Sequence, residues 1–325
     1  MSSDADTILY LLNVATLLYK TFGLFIIVVS TIGNICNCFV FLCIRSLNKH
    51  PNALFVIGSS IGSLLYINIG LFSPIISVFG QFNPINRWLF WCKISAWLYY
   101  SAGCFSFICI CFSALDQFLL TLPRIKWQRL ITRIRAQLMI LFTAIIWLII
   151  FLPLLIFANH IQTSATTFTC TISVPIISVY STYWIIIGYY FLPIILILIL
   201  FCLTRYNLKQ FLRRRRNLES AMVRVMLIQM SVILISGIPT SICIIYSLAT
   251  KYSTKTYLRS VYESVIFLAF VLFTFFTNGI SFWVYLFASK VFRKHIKDSI
   301  SKLKLFKNRL TIFSTSSTTR INVLH

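Results

Sequence analysis

Acidic residues are scarce in this chain. Of its 325 residues only 6 are Asp or Glu, against 29 Lys and Arg, and 11% of the sequence is charged while 59% is hydrophobic. A soluble domain is about half apolar and roughly a quarter charged. The shortage of charge therefore argues against a soluble globular enzyme.

Ionisable residues are absent from seven long apolar runs. A run of about 18 or more apolar residues is typical of a membrane-spanning helix, and only a helix satisfies the backbone of such a run in lipid. Ionisable groups within a membrane mark proton relays and ion paths, so their absence argues against a pump, an ion-coupled transporter or a charged-filter channel. The runs lie at about 22–44, 53–79, 94–115, 136–157, 178–203, 225–248 and 264–288.

Targeting and catalytic signals are also missing. No N-x-S/T glycosylation sequon occurs, and no basic segment precedes the first run, so we expect no cleaved signal peptide. The four histidines lie in separate loops and the tail, at His50, His160, His295 and His325. We therefore expect no metal, no cofactor and no enzymatic activity.

The net charge of +23 is concentrated in alternate loops and in the tail after Ala288. Cytoplasmic loops carry the excess of Lys and Arg, which predicts an extracellular N-terminus and a cytoplasmic C-terminus. Placement in short loops favours contact with membrane lipids over a groove for nucleic acid. The six cations outside this set are Lys20, Arg87, Lys93, Lys251, Lys255 and Arg259.

Two of the ten cysteines stand apart from the others. Eight fall in apolar runs, where a cysteine is most often an inert small hydrophobe. Cys92 and Cys170 lie outside or at the edge of these runs and on the same predicted face of the membrane. They predict one disulfide in an oxidising space.

The segment after the last run has two parts. In 289–306, apolar residues recur at helical spacing between lysines, which predicts an amphipathic helix on the inner leaflet. The segment 307–325 is predicted to be disordered. Its six consecutive hydroxyl residues are either a plain polar end or a phosphorylation cluster that arrestin would read; they are Ser314, Thr315, Ser316, Ser317, Thr318 and Thr319.

Landmark residues recur along the runs. They are Gly33-Asn34 in the first, Trp88 before Cys92 at the third, Trp147 in the fourth, Pro193 in the fifth, Pro239 in the sixth, and Tyr285 followed by Phe292-Arg293 after the seventh. With these residues the chain resembles the rhodopsin-like (class A) G-protein-coupled receptors over 22–306, as a divergent member. The resemblance implies an all-α membrane protein: a seven-transmembrane helix bundle with a C-terminal membrane-surface helix. It also implies the Cys92–Cys170 disulfide, and Asn34 either packs between helices or bonds its own helix.

The polar switch positions of that family are altered. Its Asp-Arg-Tyr at the inner end of the third helix is here Asp116-Gln117-Phe118. The family's Arg pairs with acids at rest and contacts the G protein when active, but Gln117 has no charge. Further departures are Gly62 for a sodium-binding Asp, Ser236-Gly237-Ile238-Pro239 for Cys-Trp-x-Pro, Phe201 for a Tyr, and Ser281-Phe282-Trp283-Val284-Tyr285 for Asn-Pro-x-x-Tyr.

The resemblance also assigns roles at the two ends of the bundle. The coupling and switch positions are Asp116, Gln117, Phe118, Glu219, Pro239 and Tyr285, with Glu219 expected to pair locally with Arg215 or Arg216. The expected ligand pocket comprises Tyr99, Tyr100, Gly103, Tyr246 and Glu263. Tyr183, Trp184 and Tyr262 are better explained as an aromatic belt at the membrane interface. Glu263 would bind a cationic ligand group or pair with Arg259, one turn away.

Two departures from the family pattern argue against an amine ligand and against retinal. Tyr99 stands where amine receptors of the family carry an Asp, and 264–288 lacks the Lys that holds retinal in opsins. The resemblance thus implies a plasma-membrane receptor for an extracellular peptide or small molecule, coupled to a heterotrimeric G protein. Its domains would be 1–21 (extracellular), 22–288 (receptor bundle), 289–306 and 307–325. The alternative is a seven-helix channel or interaction protein without G-protein signalling.

Overall fold

Seven helices form the body of the molecule. The computed structural model describes residues 2–80, 82–162, 168–214, 218–251, 253–290, 292–294 and 296–297. Within them, seven helical segments are long and apolar enough to cross a membrane, which confirms the predicted all-α seven-helix bundle. They are span 1, Asp4–Cys43; span 2, Pro51–Gly80; span 3, Leu89–Thr121; span 4, Arg133–Phe157; span 5, Pro175–Asn207; span 6, Val223–Ala249; and span 7, Tyr257–Gly279.

Some spans consist of more than one helical segment. The α-helices run Ser2–Leu18, Leu24–Cys43, Arg45–Asn48, Pro51–Gly80, Pro84–Arg87, Leu89–Thr121, Ile125–Gln128, Arg133–Ile150, Leu152–Phe157, Pro175–Ile185, Leu192–Arg214, Leu218–Ala249, Tyr257–Gly279 and Ser281–Ala288. Two π-helical turns, Tyr19–Gly23 and Ile186–Phe191, connect the segments of spans 1 and 5 without a break in helical backbone.

Span 1 starts earlier than its apolar run. The sequence predicts a separate segment before residue 22, but the chain is helical from Ser2 and continuous with the span. From Ser2 to Cys43 the helix is about 60 Å long at 1.5 Å per residue, roughly twice the hydrocarbon thickness of a bilayer. The helix is therefore longer than one crossing needs, and its first turns bury Leu11 in the protein.

Span 3 is the central helix of the bundle. In its most apolar stretch 72% of residues are buried, against 22% in span 4, which faces outward. Small residues allow close packing around it, as is usual between membrane helices. A Cβ at Gly62 of span 2 would lie 2.9 Å from both Phe105 and Ser106 of span 3. The space beside Gly62 is thus already filled by its neighbours.

The last apolar run is interrupted at Ile280, directly after the end of span 7. The helix ends at Gly279, Ile280 is irregular, and a second helix follows at Ser281–Ala288. Gly279 packs so closely on Ser30 of span 1 that a side chain there would overlap it. The single run predicted at 264–288 is thus two helices joined beside this contact.

A β-hairpin lies between spans 4 and 5. Strands β1 (Ala158–Gln162) and β2 (Phe168–Ile172) pair antiparallel, with His160 opposite Cys170. The sequence analysis predicted no strand here, although β2 contains the β-favouring residues Phe168, Thr169 and Thr171.

The predicted surface helix after span 7 is described only in its first part. Residues 290, 292–294 and 296–297 are helical. Phe292 is buried against Tyr285, with ring centroids 5.5 Å apart. The rest of 289–306 and the whole of 307–325 lie outside the described residues.

Candidate functional site

The two ends of span 3 define the two ends of the bundle. We call the end with Cys92 the disulfide end and the opposite one the Gln117 end. Between them, the interior contains an aromatic cluster and, at Pro239, a set of paired hydroxyl groups.

The hairpin is fixed to the disulfide end by three contacts. Cys170 on β2 forms the predicted disulfide with Cys92, the buried residue in the first turn of span 3. The Cys170 N–H donates to Asn86 Oδ1 at 3.1 Å, and the His160 ring bonds the Ile85 carbonyl at 2.8 Å. The sequence analysis missed Asn86 and His160, because nothing in their sequence spacing relates them to Cys170.

Trp88 lies beside this attachment. It is the residue before span 3, its carbonyl accepts from the Cys92 N–H at 2.9 Å, and its exposed ring packs edge-on against Phe82 at 6.1 Å. These contacts place it at the start of the helix that carries the disulfide.

Glu263 and Tyr246 belong to a charged cluster that also contains Lys255 and Arg259. The Glu263 carboxylate accepts from Lys255 Nζ at 2.5 Å, Arg259 Nε at 2.9 Å and Tyr246 Oη at 2.9 Å. Arg259 Nη2 donates to Tyr246 Oη at 2.7 Å. The pairing with Arg259 that the spacing predicted is therefore present, and Lys255 is an additional partner. Two cations face one carboxylate, so the cluster has a net positive charge.

Tyr99 lies in an aromatic cluster made of Tyr66, Tyr99, Tyr189 and Phe275, from spans 2, 3, 5 and 7. Tyr66 is 4.8 Å from Tyr99, 4.8 Å from Phe275 and 5.4 Å from Tyr189, centroid to centroid. Gly103 leaves the space for two of these rings: a Cβ there would lie 2.8 Å from Tyr189 and 3.0 Å from Tyr66. The interior beneath the disulfide end is therefore filled by stacked aromatic side chains.

Tyr100 contacts a second aromatic group on span 4. Its ring is 5.8 Å from Phe151, which stacks on Trp147 at 5.9 Å. Trp147 is buried, and Gly188 of span 5 lies directly against its ring. Trp147 thus joins spans 4 and 5, whereas Tyr100 extends the interior cluster toward span 4.

Paired hydroxyl groups connect spans 6 and 7 on either side of Pro239. Ser236 Oγ and Thr277 Oγ1 are 2.9 Å apart, and Thr240 Oγ1 and Thr274 Oγ1 are also 2.9 Å apart. We call these four residues the hydroxyl joint. Ser236 and Thr240 lie one turn apart, as do Thr274 and Thr277, so that all four are buried along one seam. The sequence analysis missed the joint, although hydroxyl residues at this spacing in two apolar runs are its signal.

Pro193 has a comparable polar contact on span 5. Its carbonyl accepts a weak hydrogen bond from Cys111 Sγ of span 3 at 3.7 Å. The two prolines that the sequence placed mid-span therefore both lie beside polar contacts to a neighbouring helix.

At the Gln117 end, Asp116 and Gln117 are both buried. Asn52 of span 2 donates to the backbone and the hydroxyl of Ser113, at 3.1 and 2.9 Å, and its amide also faces the Asp116 carboxyl. Gln117 Oε1 has no hydrogen-bond partner among the described residues. Phe118 is half-buried in the packing of spans 2 to 4.

Tyr285 and Asn34 complete the residues singled out by the sequence. Tyr285 is buried, with Phe41 edge-on at 5.6 Å. Asn34 is buried and donates to the Ser30 carbonyl of its own helix at 3.0 Å. A different asparagine connects spans 1 and 7: Asn37 Nδ2 donates to Ser281 Oγ at 2.7 Å.

Two of the sequence predictions, the pairing of Glu219 and the hydroxyl cluster, fall on residues that the structure leaves undescribed. The backbone of Glu219 lies in the helix Leu218–Ala249, but its side chain is outside the described part, as are the predicted partners Arg215 and Arg216. The hydroxyl cluster 314–319 lies outside it as well. Among the described residues, no three His, Cys, Asp or Glu side chains come together as a metal site.

Comparison with known proteins identifies the bundle. The model of the family described as 7 transmembrane receptor (rhodopsin family) matches residues 33–285, from Gly33 in span 1 to Tyr285 after span 7. A search of the curated proteins finds no match. The family match covers well over half of the chain and includes the end of span 1, the whole of spans 2 to 7 and both cysteines of the disulfide. The chain belongs to the rhodopsin family of seven-transmembrane receptors.

Proposed function

We propose that the chain is a plasma-membrane receptor that binds an extracellular ligand at the disulfide end and activates a heterotrimeric G protein at the Gln117 end. The observation that carries this proposal is the family match over 33–285. The charge distribution supports the orientation, because the connections at the Gln117 end, together with the segment after Ala288, contain 23 of the 29 Lys and Arg.

The ligand is proposed to be a peptide or a small molecule rather than an amine or retinal. Aromatic side chains with a few polar groups suit such ligands, and Tyr99 and Tyr100 provide both in the interior. Glu263 is less accessible to a cationic ligand than its sequence suggests, because Lys255 and Arg259 already neutralise it. A cationic group would have to displace one of them.

Activation is proposed to act through the contact between spans 6 and 7. Proline removes a backbone hydrogen bond and bends a helix, and Pro239 lies between the two pairs of the hydroxyl joint. Hydrogen bonds between membrane helices average about 0.6 kcal/mol, so ligand binding needs little energy to exchange them. A two-state movement of span 6 there would open the Gln117 end, and a phosphorylated 314–319 would bind arrestin.

The test uses purified full-length chain in lipid nanodiscs, with peptide and small-molecule panels and one Gα of each class. We expect at least one ligand to accelerate nucleotide exchange on a Gα, with no effect in empty nanodiscs. Tyr99→Ala should raise the ligand concentration needed for half the effect, whereas Tyr183→Ala, an exposed tyrosine on span 5, should not. Absence of exchange with every ligand, together with ionic current from the reconstituted chain, would favour the channel alternative.

A further inference from the structure

A groove runs along the outside of span 7 where spans 1 and 6 flank it. It has a volume of about 420 Å³, and its walls include Phe25 and Val29 of span 1, Ile228 of span 6, and Phe276, Trp283 and Ala288 of span 7 and the helix that follows it. Phe25 is 51% exposed and Ile228 44%. The groove therefore lies on the surface that faces lipid.

The side chains that line the groove are suited to an apolar occupant such as an acyl chain. Every side chain lining the groove is apolar except for the indole N–H of Trp283, and this group already donates to the Val29 carbonyl at 3.3 Å. A polar ligand would lose its hydrogen bonds to solvent without gaining others. Transfer of each methylene from water to an apolar site contributes about 0.8 kcal/mol. Acyl chains in a bilayer are already out of water, so the occupant of this groove is the lipid whose shape fits it.

The length of the groove corresponds to one leaflet. From Phe276 to Ala288, at the Gln117 end, the wall is about 18 Å long at 1.5 Å per residue. The hydrocarbon core is about 30 Å thick, so that one leaflet occupies about half of it. The groove thus accommodates an acyl chain entering from the leaflet at the Gln117 end.

Two cations lie close in the sequence to lining residues at that end. Arg224 is exposed one helical turn before Ile228, on the same face of span 6. Lys290 is exposed two residues after Ala288. The sequence has no acidic residue between Glu219 and Glu263 or between Glu263 and Asp298. Positive charge therefore predominates where the head group of an inserted lipid would lie.

We infer that this groove is a binding site for an anionic phospholipid of the cytoplasmic leaflet. One acyl chain lies against Phe276, Trp283 and Ile228, and the head-group phosphate binds Arg224 and Lys290. The occupant would contact spans 1, 6 and 7 together and stabilise their packing. The inference is independent of ligand and G-protein coupling, so it can fail or hold separately from the proposed function.

The experiment measures lipid retained by the purified full-length chain. The chain is taken from detergent micelles containing equal amounts of phosphatidylserine and phosphatidylcholine with identical acyl chains, and bound lipid is counted by native mass spectrometry. We expect phosphatidylserine to be the preferred adduct. Each cation near an anionic surface contributes about fivefold in binding, so Arg224→Gln with Lys290→Gln should reduce the preference roughly thirtyfold.

Substitution of Ile228 tests the groove itself. Ile228→Trp fills the groove and should remove the bound lipid of both kinds. Leu138→Trp is the matched control, because Leu138 is 60% exposed on span 4 and lies away from the groove. The matched control for the Arg224 and Lys290 substitutions is Arg124→Gln with Arg129→Gln, which removes two exposed cations from another loop at the same end. Thermal unfolding verifies that each variant is folded, and Ala288→Phe replaces Ile228→Trp if the latter is not.

Three results would overturn the inference. Equal binding of the two lipids by the unmodified chain would remove the role of the cations. Retained lipid in a folded Ile228→Trp or Ala288→Phe variant would show that the lipid lies elsewhere. Loss of the preference in the Arg124 and Arg129 control would show that the general surface charge, and not this pair, selects the lipid.

Discussion

Gln117 occupies a position where a charged residue would ordinarily act, and its surroundings are those of a neutral one. The side chain is 2% exposed, and its Oε1 atom has no hydrogen-bond partner among the described residues. A buried polar atom left without a partner costs about 1–3 kcal/mol. The Gln117 amide therefore contributes little to holding span 3 in its present position. The neighbouring Asp116 has no arginine at position 117 with which to pair.

Replacement of Gln117 by arginine should strengthen the resting arrangement. An arginine is always charged, and in Gln117→Arg it could pair with the buried carboxylate of Asp116 or with Glu219. We expect lower basal nucleotide exchange on a responsive Gα, measured without ligand at equal surface expression.

Gln117→Met is the control for this experiment. It removes the amide at similar volume without adding charge, so its basal exchange should not fall. An unchanged basal level in Gln117→Arg would show that the missing charge does not determine resting activity.

At the level of single residues, the sequence predicted positions better than partners. The Cys92–Cys170 disulfide followed from the predicted topology. Glu263 was placed at the mouth of the bundle with Arg259, but its bond to Lys255 depends on how the connection between spans 6 and 7 folds. Hydrogen-bond partners distant in sequence have no local pattern that would reveal them.

Among the helices, spans 6 and 7 are joined by buried hydroxyl groups. Where the family has a tryptophan before the proline of span 6, this chain has Gly237-Ile238, and the hydroxyl joint supplies the contact to span 7. The four hydroxyls bond one another or the backbone of their own helix, and Thr240 also donates to the Phe270 carbonyl of span 7 at 3.4 Å. Because every hydroxyl can rotate to another partner, the joint can rearrange without leaving a buried group unpaired.

The joint can be measured by a double-mutant cycle on Ser236 and Thr277. We expect Ser236→Ala and Thr277→Val to be coupled by about 0.6 kcal/mol, the average for such bonds, in thermal unfolding of the purified chain. Each single variant should also raise basal nucleotide exchange, because the resting contact is weakened.

Ser264 provides the matched control for this cycle. Its hydroxyl lies on span 7 but donates to Ser260 of the same helix. Ser264→Ala should show no coupling to Ser236→Ala. Additive effects of Ser236→Ala and Thr277→Val would mean that the two hydroxyls do not stabilise each other.

The helices were predictable and their irregularities were not. Seven uncharged runs predict seven spans because lipid leaves the backbone no alternative to a helix. The early start at Ser2, the interruption at Ile280 and the hairpin depend on packing: the first turns of span 1 bury Leu11 in the protein, Gly279 approaches Ser30, and β1 pairs with β2. None of these contacts leaves a periodic signal in a single sequence.

At the scale of the whole molecule, charge and covalent structure agree on one orientation. The hairpin, the disulfide and the charged cluster at Glu263 lie at one end. The connections at the other end, together with the segment after Ala288, contain 23 of the 29 Lys and Arg. A disulfide persists in an oxidising space, and the excess of cations belongs on the cytoplasmic face.

Engineered glycosylation can test this orientation without background, because the chain contains no N-x-S/T sequon of its own. Ile161→Thr creates a sequon at Asn159, an exposed residue of the hairpin, and Leu310→Thr creates one at Asn308 in the tail. Glycans are added only on the luminal, later extracellular, side. We therefore expect a glycosidase-sensitive mass increase for Ile161→Thr and none for Leu310→Thr in chain expressed in mammalian cells.

A glycan on the Leu310→Thr variant would reverse the orientation and place the Lys- and Arg-rich loops outside. Ile161 is exposed on β1, outside the aromatic cluster and the hydroxyl joint, so the Ile161→Thr variant should retain the thermal stability of the unmodified chain.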